Sequence, residues 1–132
     1  MKEIILIDDE PLINRIHTVL IRSAKPDQLL TAFTDPTLGF EYVRDYIGNR
    51  LVLLDINMPT MNAWDFLNAL AENGVTVDVI ILSSSINPED KIKAISYKNV
   101  KAFLNKPLSK ENIKKLIDAD QTPIEWPSIE LE

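Results

Sequence analysis

Five short apolar runs punctuate the chain, at residues 4–7, 29–33, 51–54, 77–82 and 100–104. The first, third and fourth are rich in leucine and β-branched residues and barely alternate with polar ones, which is how a strand covered on both faces reads. Between the runs lie stretches with helical spacing. Residues 11–23 set Leu12, Ile16, Val19 and Leu20 on one stripe and leave Arg15 and Arg22 to water. Residues 36–47 carry Leu38, Tyr42 and Tyr46 at four-residue steps, and residues 63–73 carry Phe66, Leu67 and Leu70 with Gly74 placed as a stop. Residues 88–97 open on Pro88-Glu89-Asp90, favourable near a helix N-terminus, and hold Ile92 and Ile95. Residues 109–118 begin with Ser109 as an N-cap and bury Ile113, Leu116 and Ile117.

The alternation predicts a (βα)₅ chain. Strands joined through helices run parallel with right-handed crossovers, so the helices cover both faces of one five-stranded parallel sheet. The expected architecture is α/β, a doubly wound three-layer sandwich. The last stretch, with Pro123 and Pro127, does not continue a helix.

Composition narrows the class. A chain of 132 residues suits one domain, and 45% hydrophobic with 26% charged residues is ordinary for a globular one. No run approaches the roughly 18–20 apolar residues of a membrane span, and Met1-Lys2-Glu3 leads straight into a strand, so neither a secretory signal nor a membrane partner is expected. The absence of cysteine excludes disulfides and thiolate metal sites and fits a reducing cytoplasm. A net charge of −6 argues against direct nucleic-acid binding. Acid gathered in one place would instead hold a divalent cation.

The acids are gathered at strand ends. In open parallel sheets ligands collect outside the carboxyl ends of the strands. Asp8, Asp9 and Glu10 close the first strand, Asp55 ends the third, Ser83, Ser84 and Ser85 end the fourth, and Lys106 follows the fifth. Alone, each has a plain structural reading: an Asp at a strand end is commonly a loop or cap residue, Lys-Pro a turn, and a triple serine a polar loop. Four strand ends supplying one rim make a different case. Clustered carboxylates repel unless a cation neutralises them, and hard oxygen donors suit Mg2+. A lysine opposite would hold an anion beside the metal. Carboxylate, divalent metal, lysine and hydroxyl together describe phosphoryl transfer to an aspartate.

At these residues the chain resembles the receiver domains of response regulators, the phosphoacceptor proteins of two-component systems, with a flavodoxin-like fold. The likeness covers residues 2–119 and rests on Ile-Leu-Ile-Asp8-Asp9-Glu-Pro, Leu-Leu-Asp55-Ile-Asn-Met58-Pro59, Ile-Leu-Ser83-Ser-Ser and Phe103-Leu-Asn-Lys106-Pro107. The resemblance implies Asp55 as phosphoryl acceptor, with Asp8, Asp9, Asp55 and the Asn57 backbone carbonyl as Mg2+ ligands. It implies Lys106 as the phosphoryl-binding lysine, a cis Lys106-Pro107 bond, and Ser83 with Phe103 as the switch pair. It also implies a sensor histidine kinase or histidine phosphotransfer protein as donor, a downstream protein as target, and a monomer or phosphorylation-dependent dimer. The sequence departs from the family at Ala63 and Asn99, where glycine is common, and at Ser84, which would narrow the pocket. Asn99 tolerates a left-handed backbone.

Residues 1–119 are therefore expected to form the receiver domain and 120–132 a tail with no output domain, of which Thr122 to Glu132 is expected to be dispensable for phosphorylation. His17 is expected to be structural or solvated and Trp64 a packing residue. Two other functions compete. A haloacid-dehalogenase-type phosphohydrolase also uses a nucleophilic Asp, Ser/Thr, Lys and magnesium, but its second Asp and the room for a cap domain are missing here. A phosphorylation-independent interaction module on the same fold is the other alternative, which magnesium affinity would separate.

Overall fold

The computed structural model describes residues 2–84 and 87–118; Ser85 and the tail lie outside them. Five strands alternate with five helices: β1 (Glu3–Ile7), α1 (Pro11–Ala24), β2 (Leu29–Phe33), α2 (Pro36–Asp45), β3 (Arg50–Asp55), α3 (Ala63–Glu72), β4 (Asp78–Ser83), α4 (Pro88–Ile95), β5 (Val100–Asn105) and α5 (Lys110–Asp118). All strand pairs are parallel, in the order β2-β1-β3-β4-β5. The predicted doubly wound α/β sandwich is the observed one.

Side chains of a strand alternate between faces, and the two cores follow that parity. Ile5, Ile7, Val52, Leu54, Val79 and Ile81 meet Phe40, Val43, Phe66, Leu67, Leu70 and Ala94 from α2, α3 and α4. Ile4, Leu6, Leu51, Leu53, Ile80 and Leu82 meet Ile21, Ile113 and Leu116 from α1 and α5. Each of these valine, leucine, isoleucine and phenylalanine side chains, fully buried, contributes about 1.5–3 kcal/mol. Both faces of the three central strands are dry, which is why their sequences run apolar without alternating.

Local chemistry sets the helix ends. Asp35, Asn62 and Asn87 cap α2, α3 and α4 through their side chains, and Asn62 forms a capping box with Asp65. Ser109 Oγ accepts the Asn112 amide at 3.1 Å, the cap expected for α5. Gly74 takes φ +67° just past α3, so the predicted stop is a left-handed one. No residue other than glycine has positive φ among the described residues, so Asn99 needs no left-handed backbone; its Nδ2 donates to the Val77 carbonyl at 3.3 Å.

Three helices turn a different face inward from the one their apolar stripes suggest. In α1 the buried side chains are Asn14, His17 and Ile21, while Leu12 and Val19 are exposed. Polar side chains take the inner stripe because they satisfy backbone groups of neighbouring loops. In α2 the buried set is Pro36, Gly39, Phe40 and Val43, and Leu38 and Tyr46 face water. Gly39 permits this rotation: a Cβ there would sit 2.9 Å from Ile7 Cδ1. In α4 Ile92 and Ile95 are exposed and Ala94 is buried. That helix is tied to α3 by Trp64 stacked on Tyr97, centroids 5.9 Å apart, and by Lys93 over the Trp64 ring at 5.3 Å. Trp64 is thus the packing residue expected. The stripes of α3 and α5 point inward as predicted.

Candidate functional site

Strand order puts β1 beside β3, with the chain winding outward to β2 on one side and to β4 and β5 on the other. This reversal opens a crevice at the carboxyl ends of β1 and β3. Asp8 leaves β1 there and Asp55 is the last residue of β3. Lys106, just past β5, lays its side chain across β4 to reach both. Its Nζ donates to Asp8 Oδ2 and Asp55 Oδ1, each at 3.0 Å, and lies 3.6 Å from Glu10 Oε1. The Lys106, Asp8 and Asp55 side chains are at most 5% exposed, whereas Glu10 is open to solvent.

Burial pushes the Asp55 carboxyl above its ordinary pKa, and the neighbouring charge of Asp8 adds to this against the opposing pull of Lys106. Nearby Asp9 raises it slightly too. Asp8 is raised by burial as well, against bonds from the Glu10 amide and Lys106. Burial opposes the charge of Lys106, but its hydrogen bonds with Asp55 and Asp8 outweigh that and raise its pKa. One cation therefore serves two buried acids, with a third beside them. Ligand oxygens of Asp8, Asp9 and Glu10 lie within 4.8 Å of one another. An excess of hard oxygen donors, partly buried and short of positive charge, fits a small divalent cation.

Ser83 is 2% exposed at the end of β4, and its carbonyl accepts the Lys106 amide at 2.9 Å, fixing where the lysine starts. The Lys106-Pro107 bond is cis. Asn57 is exposed in the loop after β3, and Ser84 is exposed beside Ser83. Phe103 is half-buried against the α2–α3–α4 core, one face away from Ala102 and Leu104. Asp8, Asp9, Asp55, Ser83 and Lys106 thus come to one rim. Ala63, buried at the head of α3, donates its amide to the Ile56 carbonyl at 3.2 Å and closes the loop after Asp55 without a glycine.

Asn14, which the sequence did not single out, and His17, expected to be structural or solvated, are both buried. Asn14 Nδ2 donates to the Asp8 and Phe33 carbonyls at 3.1 and 3.0 Å, and His17 Nε2 accepts the Leu108 amide at 3.1 Å. Their signal was the phase of Asn14, His17 and Ile21, a helical stripe with two polar members.

The response regulator receiver domain family model matches residues 4–118. The chain belongs to that family, the receiver domains of two-component systems. It is 28% identical over 114 residues to the nitrate/nitrite response regulator NarL of Escherichia coli K12, covering 86% of this chain and 52% of that protein. It is 24% identical over 110 residues to the cell cycle response regulator CtrA of Brucella ovis, covering 83% and 46%. The chain spans about half the length of these relatives. In structure it resembles a two-component response regulator from Cytophaga hutchinsonii, with TM-score 0.78 and 24% identity over 89% of this chain and 95% of that one. A response regulator receiver protein from Dyadobacter fermentans gives TM-score 0.76 at 19% identity, over 89% and 98%. Among the described residues no helix is long and apolar enough to cross a membrane.

Proposed function

We propose that the domain is a phosphoacceptor switch that takes a phosphoryl group onto Asp55 from a sensor histidine kinase or a histidine phosphotransfer protein, and so changes the face it offers a downstream protein. The observation that carries this reading is the Lys106 ammonium held between the Asp55 and Asp8 carboxylates. A lysine so placed faces any group attached to Asp55 and offsets its charge. A carboxylate oxygen of Asp55 attacks phosphorus, the bond from phosphorus to the donor breaks, and the electron pair leaves with the donor. Asp8, Asp9, Asp55 and the Asn57 carbonyl would hold Mg2+, which when bound supplies the positive charge that draws phosphoryl oxygens to the acids. Asp8 and Asp9 keep that charge at the rim, Lys106 orients the phosphoryl oxygens, and Ser83 offers a hydroxyl on the β4 side.

The output face on this reading is α4, β5 and α5. Ile92 and Ile95 stand exposed there among Lys91, Lys98, Lys101 and Glu111. The switch works in the cytoplasm as a monomer or a phosphorylation-dependent dimer, and the tail from Thr122 is dispensable for acceptance. The test is to incubate the chain with acetyl phosphate and magnesium and weigh it. The expected result is the gain of one phosphate, removed by hydroxylamine and absent from Asp55→Asn. Undiminished labelling of Asp55→Asn sinks the assignment. Turnover of a generic phosphate ester would favour a phosphohydrolase, and failure to bind magnesium a phosphorylation-independent module.

A further inference from the structure

Asp8 and Lys106 reach the rim on loops whose backbones are both fastened to one face of α1. Asn14 holds the Asp8 carbonyl, and one turn later His17 holds the Leu108 amide. His17 is 1% exposed, and the pair it forms joins residues 91 positions apart. The loop it holds has few other anchors. The Lys106 amide is taken by the Ser83 carbonyl at 2.9 Å, and Pro107 has no N–H. Leu108 therefore provides the next backbone donor after Lys106, and its side chain is buried at 3% exposure. A buried amide without an acceptor is costly, so removing the imidazole forces the turn to move toward water or another acceptor. Lys106 is two residues away and would move with it.

An acceptor Nε2 places the ring proton on Nδ1, so the bond requires neutral imidazole. Burial, and then the nearby Lys106 charge, lower the His17 pKa to about 4, which keeps that lone pair free at neutral pH. A leucine at position 17 would suit a buried site but offers no acceptor.

We propose that His17 is a positioning residue for phosphoryl acceptance: its Nε2 pins the turn after β5 so that the Lys106 ammonium stays between Asp8 and Asp55. The inference rests on Asp55 being the acceptor. It separates His17 from residues that hold the metal, because His17 touches the lysine's loop and none of the acids.

The full chain, His17→Leu and His17→Gln are compared by initial rate of acetyl phosphate labelling, by magnesium affinity from calorimetry, and by hydrogen exchange of the Leu108 amide. In His17→Leu labelling should slow by about tenfold, since ångström-scale misplacement of a reacting group costs that order or more. Magnesium affinity should stay within about twofold, and Leu108 should lose protection while Leu53 in β3 keeps it. The Gln Oε1 reaches where Nε2 stands, so His17→Gln should restore both protection and most of the rate. Equal labelling of parent and His17→Leu overturns the proposal, as does a parallel loss of magnesium affinity and labelling, which would mark general damage to the rim. If His17→Leu fails to fold, a folded His17→Gln with Leu108 protected but labelling lost overturns it equally. A parent chain that takes no phosphate overturns the acceptor reading, and this inference falls with it.

Discussion

Lys106 and Asp55, 51 residues apart in sequence, share a 3.0 Å hydrogen bond in a site where neither side chain is more than 5% exposed. The same ammonium binds Asp8, so it occupies oxygens that a divalent cation would also use. Lysine and a bound metal would therefore compete for the acids, although on the proposed function both would favour a phosphoryl group on Asp55. Lys106→Met should accept phosphate at least about tenfold more slowly, because the charge facing the phosphoryl oxygens is lost. It should bind magnesium at least as tightly as the parent, because a competing cation is gone. Calorimetry alongside mass spectrometry separates the two effects, and weaker magnesium binding would contradict the competition.

Burial raises both Asp55 and Asp8, helped at Asp55 by the charge of Asp8 and at Asp8 by that of Glu10. Groups with raised folded pKa contribute stability that is fully present below the unfolded value, near 3.8, and lost as pH rises through the folded value. At neutral pH the metal-free rim is thus an internal cost, which a bound cation removes. Magnesium should raise the melting temperature at pH 7 and do so much less at pH 4. Asp9→Ala should bind magnesium at least about tenfold more weakly, through loss of a charged oxygen ligand. Unchanged affinity in Asp9→Ala would take that residue out of the metal site.

The strand ends were legible because the chemistry there is written in rare combinations. Asp8-Asp9, Asp55 and Lys106 each follow an apolar run, and parallel topology sends every such run to the same edge. Helix orientation was less legible. Leu12, Ile16, Val19 and Leu20 form a good apolar stripe, yet α1 turns Asn14 and His17 inward. Periodicity scores a polar residue as outward facing, whereas the loops after β1 and β5 needed an amide donor and an imidazole acceptor. Gly39 in α2 is similar: its missing side chain decides which face meets Ile7, and an absence carries no hydrophobic signal.

His17 also gives the fold a pH dependence of opposite sign to that of the acids. Its pKa is about 4 folded against 6.5 in an open chain. Between those values the unfolded chain binds a proton that the native protein refuses, so stability is complete above 6.5 and falls as pH drops toward 4. Between pH 7 and pH 5 the loss amounts to about 2 kcal/mol. His17→Gln has no such proton to lose. The difference in unfolding free energy between parent and His17→Gln, from urea titrations, should shift by that amount over the interval. A difference flat with pH would mean that His17 titrates normally.

Ser83 and Phe103 lie on the same face of the sheet, two residues apart along the paired strands. The β4–β5 register sets Ile81 opposite Phe103 and Ser83 opposite Asn105, and paired residues of parallel strands share a face. A displacement of the Ser83 side chain is therefore felt first on the side where Phe103 packs half-buried between the core and solvent. A phosphoryl group on Asp55 brings nearly two negative charges and three strong acceptors to the rim. On the proposed switch, a hydroxyl turning toward one of those oxygens would leave space for the Phe103 ring to enter, exchanging a partly exposed rotamer for a buried one. The move would alter β5 beside α4, whose packing contributes only Ala94 to the core and is otherwise tied through Trp64 and Tyr97. Phosphorylation shifts such an equilibrium only by its differential affinity for the two states, so removing the hydroxyl should reduce the shift and spare the chemistry. Ser83→Ala is expected to accept phosphate on Asp55 while losing most of the phosphorylation-dependent gain in partner affinity. Phe103→Ala should accept phosphate and lose the same gain from the other side. Partner pull-downs with and without acetyl phosphate measure both, and if the two variants keep the full gain the coupling is absent even with Asp55 established as the acceptor.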